Sequence, residues 1–162
     1  MQQNGCKHYQ INLIVHMELI GLEKIYTGGK VFVDTNIFIY QFDQKDIQKH
    51  HTAHQVLQKF EDSIVISEQV AKETTNVLLQ KFKAPPRLVY EYIDAMRWYQ
   101  YVHVDLESIL HAIRLVEHYS LSIWDAYIVS AARKAECTFL LSEDMQHNQT
   151  ISGVKIINPF LL

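Results

Sequence analysis

The apolar positions of the chain fall into short dense blocks separated by stretches of helical period. Residues 31–33, 64–66, 102–104, 138–141 and 154–157 are runs of β-branched, leucine and aromatic side chains with almost no polar alternation, the pattern of strands covered on both faces. Between them, apolar residues recur at three- and four-residue intervals. Residues 36–42 predict a short helix, and Asp46 reads as the cap of a longer one reaching about Phe60. Ser67, through its hydroxyl, is expected to cap a helix from Glu68 to about Phe82, whose inward stripe is Val70, Thr74, Val77 and Leu78. Pro86 or Arg87 opens the next helix, to about Tyr99, and another spans Leu106 to about Tyr119. Ser122 and Asp125 match a capping box ahead of the apolar Ala126, Ile128, Val129, Ala131 and Ala132. This alternation predicts an α/β fold, a mainly parallel sheet of about five strands with helices on both faces.

Composition narrows the picture. At 162 residues, 48% hydrophobic and 20% charged, the chain suits one domain with a sizeable core. Its net charge of -3 gives no global field for polyanions, so a nucleic acid would have to be met by a local basic patch. Cys6 and Cys137 lie far apart without CxxC spacing, which argues against a disulfide scaffold and a zinc knuckle and fits a reducing cytoplasm. His16 and Glu18 interrupt the apolar residues 11–15, so neither an export signal nor a membrane span is expected. Residues 1–30, ending near Gly28-Gly29, read as an N-terminal extension of unknown role, with Met17 as an alternative start. The domain proper is expected at residues 31–162.

The candidate chemistry is acidic. Asp34 follows the first strand block and Asp144 follows the fourth, at the strand ends where open α/β sheets bind ligands. Asp34 or Asn36 also has a plain structural reading as the cap of the next helix. Glu73 lies at the edge of its helix's inward stripe, and Asp125 is held near the rim of the core. Four carboxylates brought to one sheet edge would repel one another unless a cation lay between them. Oxygen-only donors favour Mg²⁺ or Mn²⁺, hard ions that keep waters and bind substrate phosphate. His50 and His54 have the i, i+4 spacing of a metal pair, but no H-E-x-x-H pattern accompanies them and a solvated face is the stronger reading.

The run Val33-Asp34-Thr35-Asn36-Ile37 resembles the opening motif of PIN-domain ribonucleases, and later motifs follow in the family's order. Glu73 in Lys72-Glu73-Thr74 looks like the family's helix-borne glutamate, Asp125 in Trp124-Asp125-Ala126 like its third acid, and Asp144 in Ser142-Glu143-Asp144 like its fourth. The Asn158-Pro159-Phe160 ending is similar to that of VapC-type toxins. The resemblance covers about residues 31–160. It implies a PIN-like three-layer α/β/α fold and a metal-dependent endoribonuclease. It further implies an RNA substrate, a homodimer and a small antitoxin partner over the acidic site. By that similarity Asp34, Glu73, Asp125 and Asp144 bind Mg²⁺ or Mn²⁺, and Thr35, Asn36 and Ser142 orient carboxylates or water. No protein general base is assigned. Two features depart from the family pattern: the residues before the first strand, and Ser122 and Tyr127 flanking Asp125 where many members carry a further acid.

RNA contacts are less determined. Lys81, Lys83 and Arg87 around the Pro85-Pro86 break, and Arg133 with Lys134 at a helix end, either grip phosphates or are ordinary solvated cations. Tyr40 and Trp124 are placed to stack on bases, although core packing is the more ordinary role for Trp124. His147 would meet a phosphate or simply face solvent. Two other functional classes compete: a degenerate PIN domain that only binds protein or RNA, and a haloacid-dehalogenase-like phosphatase. The latter needs a second Asp two residues after the first, where this chain has Asn36.

Overall fold

The computed structural model describes residues 28–162. The N-terminal extension, Met17 and Cys6 therefore lie outside the described residues. β1 (Lys30–Val33) is the centre of the molecule, its Phe32 and Val33 having no exposed surface. It leads into α1 (Thr35–Tyr40) and α2 (Ile47–Lys59), the latter capped by Asp46, whose carboxylate accepts from the Lys49 amide. β2 (Ile64–Ser67) is followed by α3 (Glu68–Gln80), α4 (Pro86–Ala95) and β3 (Gln100–Val102). Then come α5 (Leu106–Tyr119), α6 (Ile123–Lys134) and β4 (Cys137–Leu141), with the hairpin of β5 (Thr150–Ile151) and β6 (Val154–Ile157) at the end.

The sheet order is β3-β2-β1-β4-β6-β5, parallel throughout except for the β5–β6 pair. From β1 the chain steps outward through β2 to β3 and then returns to the other side of β1 as β4. Right-handed crossovers place the helices of the outward steps on one face and α5 and α6 on the other. The result is the expected three-layer α/β/α arrangement, with six strands rather than about five. The reversal lies between β1 and β4, so the carboxyl ends of those two strands form the topological switch point.

Three local expectations are corrected. β3 begins at Gln100, not Val102: only Val102 of this edge strand is buried, while Val104 belongs to the loop before the Asp105 cap. β5 is a two-residue strand without a pattern of its own, but the turn after it is readable, since Ser152 and Gly153 both take positive φ (50° and 85°) as a tight hairpin turn needs. Ser67 occupies the N-cap position of α3 through its backbone alone, its hydroxyl being buried and without a partner among the described residues. Because a buried unpaired hydroxyl costs free energy, Ser67→Ala should leave stability unchanged or raise it by up to about 1 kcal/mol. Urea unfolding of the variant checks this, and a clear loss of stability would show that the hydroxyl is bonded in solution.

Candidate active site

The switch point opens into a cleft of about 510 Å³ whose wall includes Asp34, Glu73, Asp125 and Asp144. Asp34 ends β1, where its amide donates to Leu141 O at 3.0 Å and so fixes it against the end of β4. It is also the N-cap of α1: its Oδ1 accepts from the Thr35 amide at 2.7 Å. Its Oδ2 accepts from Ser142 Oγ at 2.7 Å and Asn36 Nδ2 at 3.0 Å. The cap reading thus holds, and it leaves the side chain in the lining of the cleft. Only 6% of Asp34 is exposed, and burial pushes its carboxyl up to about 7 against the effect of the donated hydrogen bonds, with Asp144 and Glu73 pushing the same way.

The neighbouring polar residues tie the acids into one network. Asn36 Nδ2 also donates to Asp144 Oδ2 at 3.0 Å, and Asn36 Oδ1 accepts from the Glu143 amide at 3.3 Å. Ser142 Oγ, besides donating to Asp34, accepts from the Asp144 amide at 3.2 Å. Glu73 projects from the middle of α3 and is held at both oxygens, by Thr35 Oγ1 at 2.8 Å and Gln69 Nε2 at 2.9 Å. Asp125 shares the wall but is held within its own helix start: Ser122 Oγ accepts from the Asp125 amide at 3.1 Å and donates to Asp125 Oδ2 at 2.7 Å. The capping box is therefore half formed, with Asp125 bonding the cap hydroxyl instead of the cap amide.

Among the described residues, every group that hydrogen-bonds these four carboxylates is neutral. Among the described residues, no three His, Cys, Asp or Glu side chains converge closely enough to form a ready ion cage, here or at His50 and His54. The latter are engaged by Tyr40 O and the Gln41 amide group, each at 3.1 Å. The acid cleft nevertheless fits a hard divalent cation by donor chemistry: four carboxylates are in its lining, and burial makes the most enclosed of them, Asp34, resist ionisation.

Sequence reasoning missed the pair beside the cleft. Glu143, between Ser142 and Asp144, is ion-paired to Lys49 of α2, and Lys49 Nζ also donates to the Tyr40 hydroxyl at 3.1 Å. The Glu143 bond holds the Lys49 ammonium above its ordinary range, and the same ammonium lies over the rings of Tyr40 and Phe160 at 4.9 and 5.5 Å. No local pattern signals a pair 94 residues apart. Lys49→Met would leave Glu143 facing the Tyr40 hydroxyl without its cation, and should cost about 1–2 kcal/mol in urea unfolding. Unchanged stability would mean that the pair is merely a solvated contact.

The basic candidates separate. Lys81 lines the acid cleft, whereas Arg87 pairs with Glu91 at 3.1 Å on an exposed helix face, and Lys83 is exposed in the turn with φ of 52°. Arg133 and Lys134 end α6, about 12 Å along its axis from Asp125 at 1.5 Å per residue. Lys134 is bound to Asp105 at 2.7 Å. His147 turns inward, its Nδ1 accepting from the Asn158 amide at 3.1 Å. Trp124, for which core packing was the ordinary expectation, is 62% exposed on the cleft wall.

Comparison with known proteins bears on the family and the fold. The PIN domain family model matches residues 31–150. A toxin-antitoxin complex from Klebsiella pneumoniae superposes with a TM-score of 0.62 at 21% identity, over 80% of this chain and 98% of that one. VapC20 of Mycobacterium tuberculosis, described as a Sarcin-Ricin loop cleaving toxin, gives 0.57 at 22% identity over 71% and 92%. The DNA-bound VapBC of Salmonella typhimurium gives 0.60 at 13% identity over 80% and 97%. Among curated proteins, none matches this chain. At these identities the structural likenesses establish the fold alone.

Proposed function

The chain belongs to the PIN-domain family, and on that premise we propose that it is a Mg²⁺- or Mn²⁺-dependent endoribonuclease, the toxin half of a toxin-antitoxin pair. The observation that carries the reading is the acid cleft at the switch point: four carboxylates in its lining, all hydrogen-bonded by neutral groups, with Asp34 driven to about 7 by burial and by its acidic neighbours. A protein that needed only a structural polar network would gain by pairing such groups with a base. A cleft kept acidic is suited to a cation that brings in a phosphodiester.

In this reading Asp34, Glu73, Asp125 and Asp144 hold the ion. When bound, it supplies Lewis acidity towards a phosphate oxygen and towards a water, the chemistry that phosphodiester hydrolysis lacks in neutral solution. The chain's own groups set the geometry. Thr35 Oγ1 and Gln69 Nε2 fix the two oxygens of Glu73. Ser142 and Asn36 aim one oxygen of Asp34, and Asn36 also restrains Asp144. Lys81, on the same wall, is placed to meet a substrate phosphate.

The Klebsiella and Salmonella neighbours are toxin-antitoxin assemblies, and the Mycobacterium neighbour cleaves the sarcin-ricin loop. They support an antitoxin partner and an RNA substrate for this chain; a homodimer acting in the cytoplasm belongs to the same proposal. No helix among the described residues is long and apolar enough to cross a membrane. Residues 31–162 are proposed as the PIN domain, with residues 1–30 as an extension of it. The test is incubation of purified protein with total RNA in Mg²⁺, Mn²⁺ or EDTA. Discrete fragments that require the ion are expected. Intact RNA in all three conditions would favour a PIN domain that binds without cutting.

A further inference from the structure

Trp124 stands on the first turn of α6, immediately before Asp125, and 62% of it is exposed. Its ring is braced edge-on by Tyr127, with centroids 6.0 Å apart and planes at 75°, which leaves the indole standing as a wall. The wall divides two clefts. On one side is the acid cleft; on the other is a second cleft of about 450 Å³ lined by Val104, Ile109 and Tyr127, with Gln69 and Lys72 also contributing. Trp124, Gln69 and Glu73 line both clefts. Gln69 Nε2, which holds Glu73 at 2.9 Å, also donates to Trp124 O at 3.4 Å, so the backbone beneath the indole is tied to an acid-cleft carboxylate. Trp98 is more exposed still, at 90%, but it lines neither cleft.

We propose that the second cleft is a nucleobase subsite, in which a base next to the reacting phosphate stacks on the Trp124 indole. The inference rests on the nuclease reading above and adds to it the path of the strand. Three observations favour a single-stranded nucleic acid as the occupant. The second cleft adjoins the acid cleft, the two sharing Gln69, Glu73 and Trp124 in their linings, so adjacent nucleotides of one strand can occupy both. Its lining includes the apolar and aromatic Val104, Ile109, Trp124 and Tyr127, suited to a base face, together with the polar Glu68, Gln69, Lys72 and Glu73. Each cleft has a lysine in its lining, Lys81 in the acid cleft and Lys72 in the second, which gives a polyanion a cation in each. Stacking of this kind accepts any base, so the subsite would position the strand and leave sequence choice to other contacts.

The indole also provides the readout. With Trp98→Phe in the background, Trp124 is the only tryptophan of the chain, and a base stacked on it quenches its emission. In the full-length Asp34→Asn protein, whose cleavage is expected to be slowed about a thousandfold, a short single-stranded RNA of mixed sequence should quench Trp124 saturably. The same oligonucleotide carrying abasic sugars should not. In the cleaving protein, Trp124→Ala should raise KM about tenfold with kcat within about twofold, the size expected for one lost base stack, and Trp124→Tyr should restore most of it. Melting temperatures of the variants near that of the parent separate this from misfolding.

An unchanged KM in Trp124→Ala, in a protein that still cuts RNA, would overturn the subsite and leave the nuclease standing. Conversion of a dimer to a monomer by Trp124→Ala would assign this face to a second copy of the chain and overturn the subsite as well. A wild-type protein that neither cuts nor binds RNA would remove the nuclease reading and the subsite with it.

Discussion

Asp34→Asn is expected to slow RNA cleavage by on the order of a thousandfold or more while leaving the protein folded. The substitution keeps the shape of the side chain and its role as helix cap, because the remaining carbonyl can still accept from the Thr35 amide. What disappears is the negative charge at the point where β1 and β4 diverge, and with it the strongest reason for a cation to sit there. Glu73→Gln and Asp144→Asn remove charge from the same cleft and should act in the same direction. Single-turnover cleavage of one defined RNA fragment, in saturating Mn²⁺, provides the comparison. Activity within tenfold of wild type in Asp34→Asn would remove this residue from the chemistry.

The second large effect is on stability. The unfolded chain ionises Asp34 near 3.8, whereas in the folded protein without metal the group sits at about 7. The folded state therefore holds this proton more tightly, and the associated stability is fully present below pH 3.8 and lost as pH rises through 7. A shift of this size corresponds to roughly 4 kcal/mol, reduced to about 2 once the mismatch of an asparagine amide against Asn36 Nδ2 is allowed for. In EDTA at pH 8, Asp34→Asn should thus melt about 4–8 °C above wild type, and at pH 4 the advantage should vanish. Mg²⁺ or Mn²⁺ should raise the wild type more than the variant, because the variant binds the ion more weakly. A variant that melts below wild type at pH 8 in EDTA would show that the buried carboxylate stabilises the fold by itself.

Much of this was legible in the sequence, for identifiable reasons. Strands buried on both faces carry continuous apolar blocks, so β1, β2, β4 and β6 stood out, and the carboxylates that end β1 and follow β4 could be placed at the sheet edge before any coordinates. Edge elements were less legible. β3 exposes Gln100 and Tyr101 and buries only Val102, so its apolar block misplaced it by two residues. β5 is too short to have a period. Side-chain roles that depend on what lies opposite were the least accessible. Ser67 has the right identity for a cap, yet burial at the strand end denies its hydroxyl a partner. Trp124 was judged by residue type, which favours the core, whereas its place on the first turn of α6 puts it on the cleft wall. The Lys49–Glu143 pair joins α2 to the loop after β4, a relation that no local spacing encodes.

The account turns on whether the acid cleft holds a divalent cation through Asp34. Equilibrium binding of Mn²⁺ at pH 7.5, followed by its electron paramagnetic resonance signal with wild type and Asp34→Asn side by side, tests this without reference to any RNA. The wild type should bind Mn²⁺ saturably, and Asp34→Asn should weaken that binding by about 10–100-fold or more. Equal binding by the two proteins, or none by the wild type, would contradict the central claim.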